Sequence, residues 1–301
     1  MGKAERNRRM SARENIAAQQ AAARRSDRRR QVSIGTAVVS AVLAVVLAFV
    51  LIKVASDHTR STARGSALSA DGGVTGAALP ATVVKDIVTV PASTLDAVGT
   101  GSALTYNPSP FTAGSNATLT SSGKPEMLYI GAEFCPYCAA MRWSMAVALS
   151  RFGTFTTPLR GSHSSSTDTD PKTPTLTFYQ SGYTSKYLTF TPVENETVAK
   201  TPLQSTTSAQ QALWTKYTQQ SYPFIDFGDK YVIKAPLFDA GILAGMTWAQ
   251  VAAALHNPAS PVAQGADGVA NMITAAICKM TNGQPGSVCT SKGVTTATKS
   301  L

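Results

Sequence analysis

Val32 to Ile52, VSIGTAVVSAVLAVVLAFVLI, is a run of 21 residues without a charge. At ~1.5 Å of rise per residue, a helix of this length matches a hydrocarbon core roughly 30 Å thick. The run therefore reads as a transmembrane helix over residues 32–52. Val54-Ala55-Ser56 offers a weak cleavage site, but the apolar run and the 30 residues before it are both oversized for a secretory signal peptide. Residues 1–30 hold ten Lys or Arg against three acids, and this basic tail is expected to stay in the cytoplasm. Everything after Ile52 is then exported, so the chain is expected to be a single-pass membrane protein touching the lipid bilayer, with an extracytoplasmic C-terminal domain.

That placement disposes of the most obvious inference from a net charge of +10, since the tail carries +7 of it. The tail has no aromatic residue to stack on bases, and no nucleic-acid partner is expected. Residues 53–80 are small, polar and Gly-rich, the composition of a flexible linker. A globular domain is expected over residues 81–290, and the last residues, 291–301, read as a disordered tail.

Within the domain, Met127 to Phe134 is almost continuously apolar, as in a central strand covered on both faces. It runs directly into Cys135-Pro136-Tyr137-Cys138, after which the period becomes helical, with Met141, Met145, Ala148, Leu149 and Phe152 on one face and Gly153 as the cap. TVVKDIVTV, from Thr82, has the β-branched content of a strand, and PASTLDAV reads as a short helix ending near Gly99. A turn-rich loop follows, and Thr175 to Phe190 reads as an inserted β-hairpin turning at Ser181-Gly182. Beyond it come a helix over Ser208 to Gln220, a hairpin turning at Gly228-Asp229, a helix opened by a Thr247/Gln250 capping box, and a helix over Gln264 to Met280.

The four cysteines, Cys135, Cys138, Cys278 and Cys289, all fall on the exported side, where disulfides persist. A dithiol at a helix start has unpaired backbone N–H groups and the positive end of the helix dipole to stabilise a thiolate. Cys135 is the expected nucleophile and Cys138 the resolving thiol, because the outer thiolate can attack a substrate disulfide and the inner one close the bond. Cys278 and Cys289 are expected to form a structural disulfide at a helix end, with a relay dithiol as the alternative. Zinc would need a second short-spaced pair that Cys278 and Cys289 do not supply, and His58, His163 and His256 are distant in sequence, so neither metal nor other cofactor is expected. His256 is expected to interact with the last carbonyls of its helix.

AEFCPYC resembles the active-site segment of the thioredoxin superfamily, and the order strand, dithiol helix, helix, YPFIDF, hairpin, helix is similar to that fold. The implied class is α/β, a thioredoxin-like fold with a β-hairpin insertion and a C-terminal helical extension, preceded by one transmembrane helix. The resemblance implies a cis proline before a core strand, with Pro223 preferred over Pro174, and a peptide-binding edge at Tyr222 and Pro223. The family often carries a buried acid six residues before the first Cys, where this chain has Tyr129. Glu133 is the nearest carboxylate, read either as a solvated strand-end residue or as a proton-transfer group. More narrowly, LYIGAEFCPYCAAMRW, SGYTSKYLTFTPVE, YPFIDFGDKYVI and AAICKMTNGQPGSVC are similar to a family known only as domain of unknown function nine-two-nine. The function implied is thiol–disulfide exchange on protein thiols and disulfides, served by a membrane redox partner. The competing reading is a non-enzymatic envelope binding scaffold in which both cysteine pairs are staples.

Overall fold

The computed structural model describes residues 76–301. The basic tail, the expected transmembrane helix and all but the end of the expected linker lie outside the described residues. Among the described residues, no helix is long and apolar enough to cross a membrane.

The domain is mixed α/β, built on seven core elements. These are β1 (Lys124–Gly131), α1 (Pro136–Ser150), β2 (Thr189–Glu194), α2 (Ser208–Thr218), β3 (Phe224–Phe227), β4 (Tyr231–Ile233) and α3 (Gly268–Met280). The core of a six-stranded sheet runs in the order β2, β1, β3, β4, with two-residue strands, Thr112–Ala113 on β4 and Thr120–Ser121 on β1, completing it. β1 and β2 are parallel, with Tyr129 opposite Pro192 and Gly131 opposite Glu194. β3 is antiparallel to β1, and β4 to β3. The sheet is therefore mixed, with its parallel pair on one side and its hairpin on the other. β1 has neighbours on both edges and both faces buried, which is why its sequence does not alternate.

Side chains leave β1 alternately to two cores. Met127 and Tyr129 join the larger core with α1 and α3, whereas Leu128 and Ile130 meet Val193, Phe224, Val232 and Trp214 of α2. Of the fifteen residues of α1, all but Tyr137 and Ser150 are buried. The one-sided apolar face expected of this helix is thus replaced by burial all round, because α3, the helix Ala81–Val88 and the strand Pro174–Thr177, which pairs with Arg160–His163, all pack against it. The helix ends at Ser150 with Arg151 as its cap, and Gly153 instead starts a short strand.

Other expectations are corrected. Ala81–Val88 is a helix and not a strand, since Val83 and Ile87, four residues apart, are its buried positions. The hairpin expected over Thr175–Phe190 does not form. Pro174–Thr177 pairs with Arg160–His163, Tyr183–Ser185 pairs with Gly153–Phe155, and the residues from Thr189 onward enter the central sheet as β2. The described end of the expected linker is packed onto the domain: the Gly76 N–H donates to the Gly161 carbonyl at 2.8 Å, and Leu79 is buried. The expected disordered tail contains a helix, Lys292–Ala297, anchored by buried Val294 and Ala297. The hairpin turning after Phe227, the Thr247/Gln250 capping box and the short helix ending at Gly99 are all present.

Candidate active site

β1 ends at Gly131, and four residues later Cys135 stands at the N-cap of α1 with Pro136 at the first helical position. Proline suits that position, where no intrahelical N–H bond is required. The Cys135 Sγ accepts the Cys138 N–H at 3.3 Å. Both thiols are free, Cys138 fully buried and Cys135 with 5% of its surface exposed. Phe134, Tyr137 and Tyr222, each partly exposed, pack around them.

The two thiols differ in acidity. The Cys138 thiol, followed by backbone N–H groups of the first helical turn and the charge of Arg142, holds Cys135 below the usual thiol value, against the effect of burial. Burial pushes Cys138 well above that value, reinforced by the neighbouring Cys135. Cys135 is therefore the more readily ionised of the two, with Cys138 as hydrogen-bond donor to its thiolate.

Beneath the pair lies a buried ion pair. Arg142, one helical turn after Cys138, donates from Nε and Nη2 to the two carboxylate oxygens of Glu194 on β2, at 2.8 and 2.6 Å. Its Nη2 also reaches the Ala132 carbonyl at 2.9 Å, tying helix, sheet and the cysteine-bearing loop together. Burial, the largest influence, would lower the Arg142 pKa, but Glu194, together with Tyr129 and Glu133, outweighs it and the guanidinium stays charged. Arg142 is the single charge in α1, which is the sequence signal that could have singled it out; its partner lies 52 residues away.

Glu133 is buried and accepts hydrogen bonds from the hydroxyls of Ser162 and Thr177, which corrects its reading as a solvated strand-end residue. The Tyr222–Pro223 peptide is cis and leads into β3, while Pro174 starts the covering ribbon and its carbonyl accepts the Trp143 indole N–H at 2.9 Å. Tyr222 stacks obliquely on Trp214 and donates its hydroxyl to Asn195 Oδ1 at 2.6 Å. Cys278 and Cys289 are joined in a disulfide between the end of α3 and the next short helix. His256 donates its backbone N–H to the Ala253 carbonyl at the end of its own helix, while its imidazole pairs with the Asp86 carbonyl of a different helix at 2.8 Å. Among the described residues, no cluster of three or more His, Cys, Asp or Glu side chains is arranged to hold a metal ion.

The class so defined is a mixed α/β domain with a buried, asymmetric dithiol at the start of its central helix. The family model described as Domain of unknown function (DUF929) matches residues 110–279, a span containing the dithiol, Arg142, Glu194 and the whole central sheet. The chain belongs to that family. No curated protein and no solved structure matches the chain.

Proposed function

We propose that this protein is a membrane-anchored, extracytoplasmic thiol–disulfide oxidoreductase of thioredoxin-like fold, acting on protein thiols and disulfides through Cys135 and Cys138. The observation that carries the reading is the asymmetry of the pair: an acidified thiol at the helix N-cap beside a fully buried, ionisation-resistant one. Two staple cysteines would need no such difference. The sheet order, the position of the dithiol helix and the proline entering β3 support the thioredoxin-like assignment. The 21-residue apolar run after a basic tail supports the anchored, exported placement.

In the proposed cycle, the Cys135 thiolate attacks one sulfur of a substrate disulfide and the other sulfur leaves as a thiolate. Cys138, deprotonated, then attacks Cys135 Sγ, forming the Cys135–Cys138 bond and releasing the second substrate thiolate. Two electrons pass to the substrate, and the reverse sequence oxidises a substrate dithiol. Phe134, Tyr137 and Tyr222 form the rim a substrate meets, with Tyr222 and Pro223 at the peptide-binding edge.

Replacement of the resolving thiol tests the cycle. Cys138→Ser should accumulate mixed disulfides with envelope proteins through Cys135, resolved by reductant on a non-reducing gel. A Cys138→Ser protein that traps no partner, while Cys135 still reacts with a small alkylating agent, would contradict the proposal.

A further inference from the structure

Few buried polar side-chain atoms in the described domain lack a hydrogen-bond partner, yet two of them lie together below the dithiol: the Tyr129 hydroxyl and Arg142 Nη1. Buried donors left unmade are costly, of the order of 1–3 kcal/mol each, so each calls for an explanation.

Their placement is specific. Tyr129 leaves β1 on the α1 side, and its ring runs along the strand toward the cysteine loop. A Cβ on Gly131 would lie 1.9 Å from the Tyr129 hydroxyl, so the absence of a side chain at Gly131 is what makes room for it. The next residue, Ala132, packs with Cys138 and accepts Arg142 Nη2 through its carbonyl. Tyr129, Arg142 and Cys138 therefore converge on Gly131-Ala132 from strand, helix and helix start. The other charged or titratable groups around this cluster are Cys135 and Tyr222, which interact with Cys138, and Glu194 on β2 and Glu133 in the loop, which interact with Arg142. The carboxylates are already engaged, Glu194 by Arg142 and Glu133 by Ser162 and Thr177.

We infer that the Tyr129 hydroxyl and Arg142 Nη1 are held in reserve as hydrogen-bond donors to the Cys138 thiolate, the species that exists only while the mixed disulfide is being resolved. The inference rests on the oxidoreductase reading and adds to it how a fully buried resolving thiol ionises. Neither group takes the proton: burial keeps Tyr129 protonated and Glu194 keeps Arg142 charged, so both donate throughout. The Cys138 proton passes to the first substrate thiolate, the one displaced when Cys135 forms the mixed disulfide, and the two donors offset the desolvation of the Cys138 anion until it attacks Cys135 Sγ. The resulting site stabilises charge by donation, where a buried carboxylate would act by accepting a proton.

Tyr129→Phe removes one donor, and because that hydroxyl has no partner in the reduced protein, nothing in the ground state is lost. The full-length protein, reduced at Cys135 and Cys138, is mixed with excess oxidised glutathione. Formation of the Cys135–glutathione adduct and its closure to Cys135–Cys138, which releases glutathione, are followed separately. A charge-assisted hydrogen bond moves a thiol pKa by about one to two units, and part of the lost thiolate is offset by greater nucleophilicity. Closure should therefore slow about three- to tenfold in Tyr129→Phe, with adduct formation changed less than about twofold and thermal stability unchanged or raised. Arg142→Lys, which keeps the charge opposite Glu194 but lacks Nη1, should slow the same step. Closure at the wild-type rate in Tyr129→Phe, or equal slowing of both steps, would overturn the inference. Failure of Cys135 to form any adduct would overturn the oxidoreductase reading and this inference with it.

Discussion

At the scale of single residues, the arrangement turns on Arg142. A guanidinium with no exposed surface is tolerated only because Glu194 neutralises it. Removing one partner leaves the other charge stranded, which typically costs about 3–5 kcal/mol. Arg142→Met should therefore destabilise the domain by that amount in urea unfolding, whereas Arg142→Met with Glu194→Leu should recover much of the loss. A double variant as unstable as the sum of the singles would show that the two side chains do not act as a pair. Arg142 also lies within reach of both thiols, so Arg142→Met should raise the Cys135 pKa as well.

At the scale of elements, α3 carries a second buried charge problem. It continues a π-helical turn, Ala263–Asp267, and neither carboxylate oxygen of Asp267 has a hydrogen-bond partner. Burial pushes this carboxyl up to about 8, and burial likewise raises Asp226 on β3 to about 7. In the unfolded chain both titrate near 3.9, so folding takes up protons between the two ranges. The sign follows: the stability associated with neutral Asp267 is fully present below about pH 4 and is lost as pH rises through about 8. Asp267→Asn should flatten much of the decline in urea midpoint between about pH 5 and pH 8. A decline of the same size in the variant would contradict this account.

Elements also show what was legible in the sequence. The strand running into Cys135, the turn after Phe227 and the capping box at Thr247 were all readable, because each is specified by neighbours within a few residues. Thr82–Val90 was misread because β-branched residues suggested a strand, while the helical spacing of Val83 and Ile87 decided the outcome. Thr175–Phe190 was misread for a different reason: its strands exist, but their partners lie at 153–163 and in β1, and alternation does not reveal a partner. Within the site, the dithiol was legible and its support was not. Glu194, Ser162 and Thr177 reach the cysteine loop only through tertiary packing.

At the scale of the whole molecule, the sheet brings together three segments distant in the chain: the dithiol helix, the Glu194 strand and the Tyr222–Pro223 edge. The Cys278–Cys289 disulfide sits apart from them, at the far end of α3, and serves the proposed account as a staple. The central claim is that Cys135 and Cys138 cycle between dithiol and disulfide. The most direct test is the reduction potential of that pair, measured by equilibration with glutathione in a Cys278→Ser/Cys289→Ser background so that only one couple titrates. The account predicts a value between about −100 and −270 mV, the range of working exchangers. A value below about −300 mV, with slow exchange, would mark the pair as a structural bridge and contradict it.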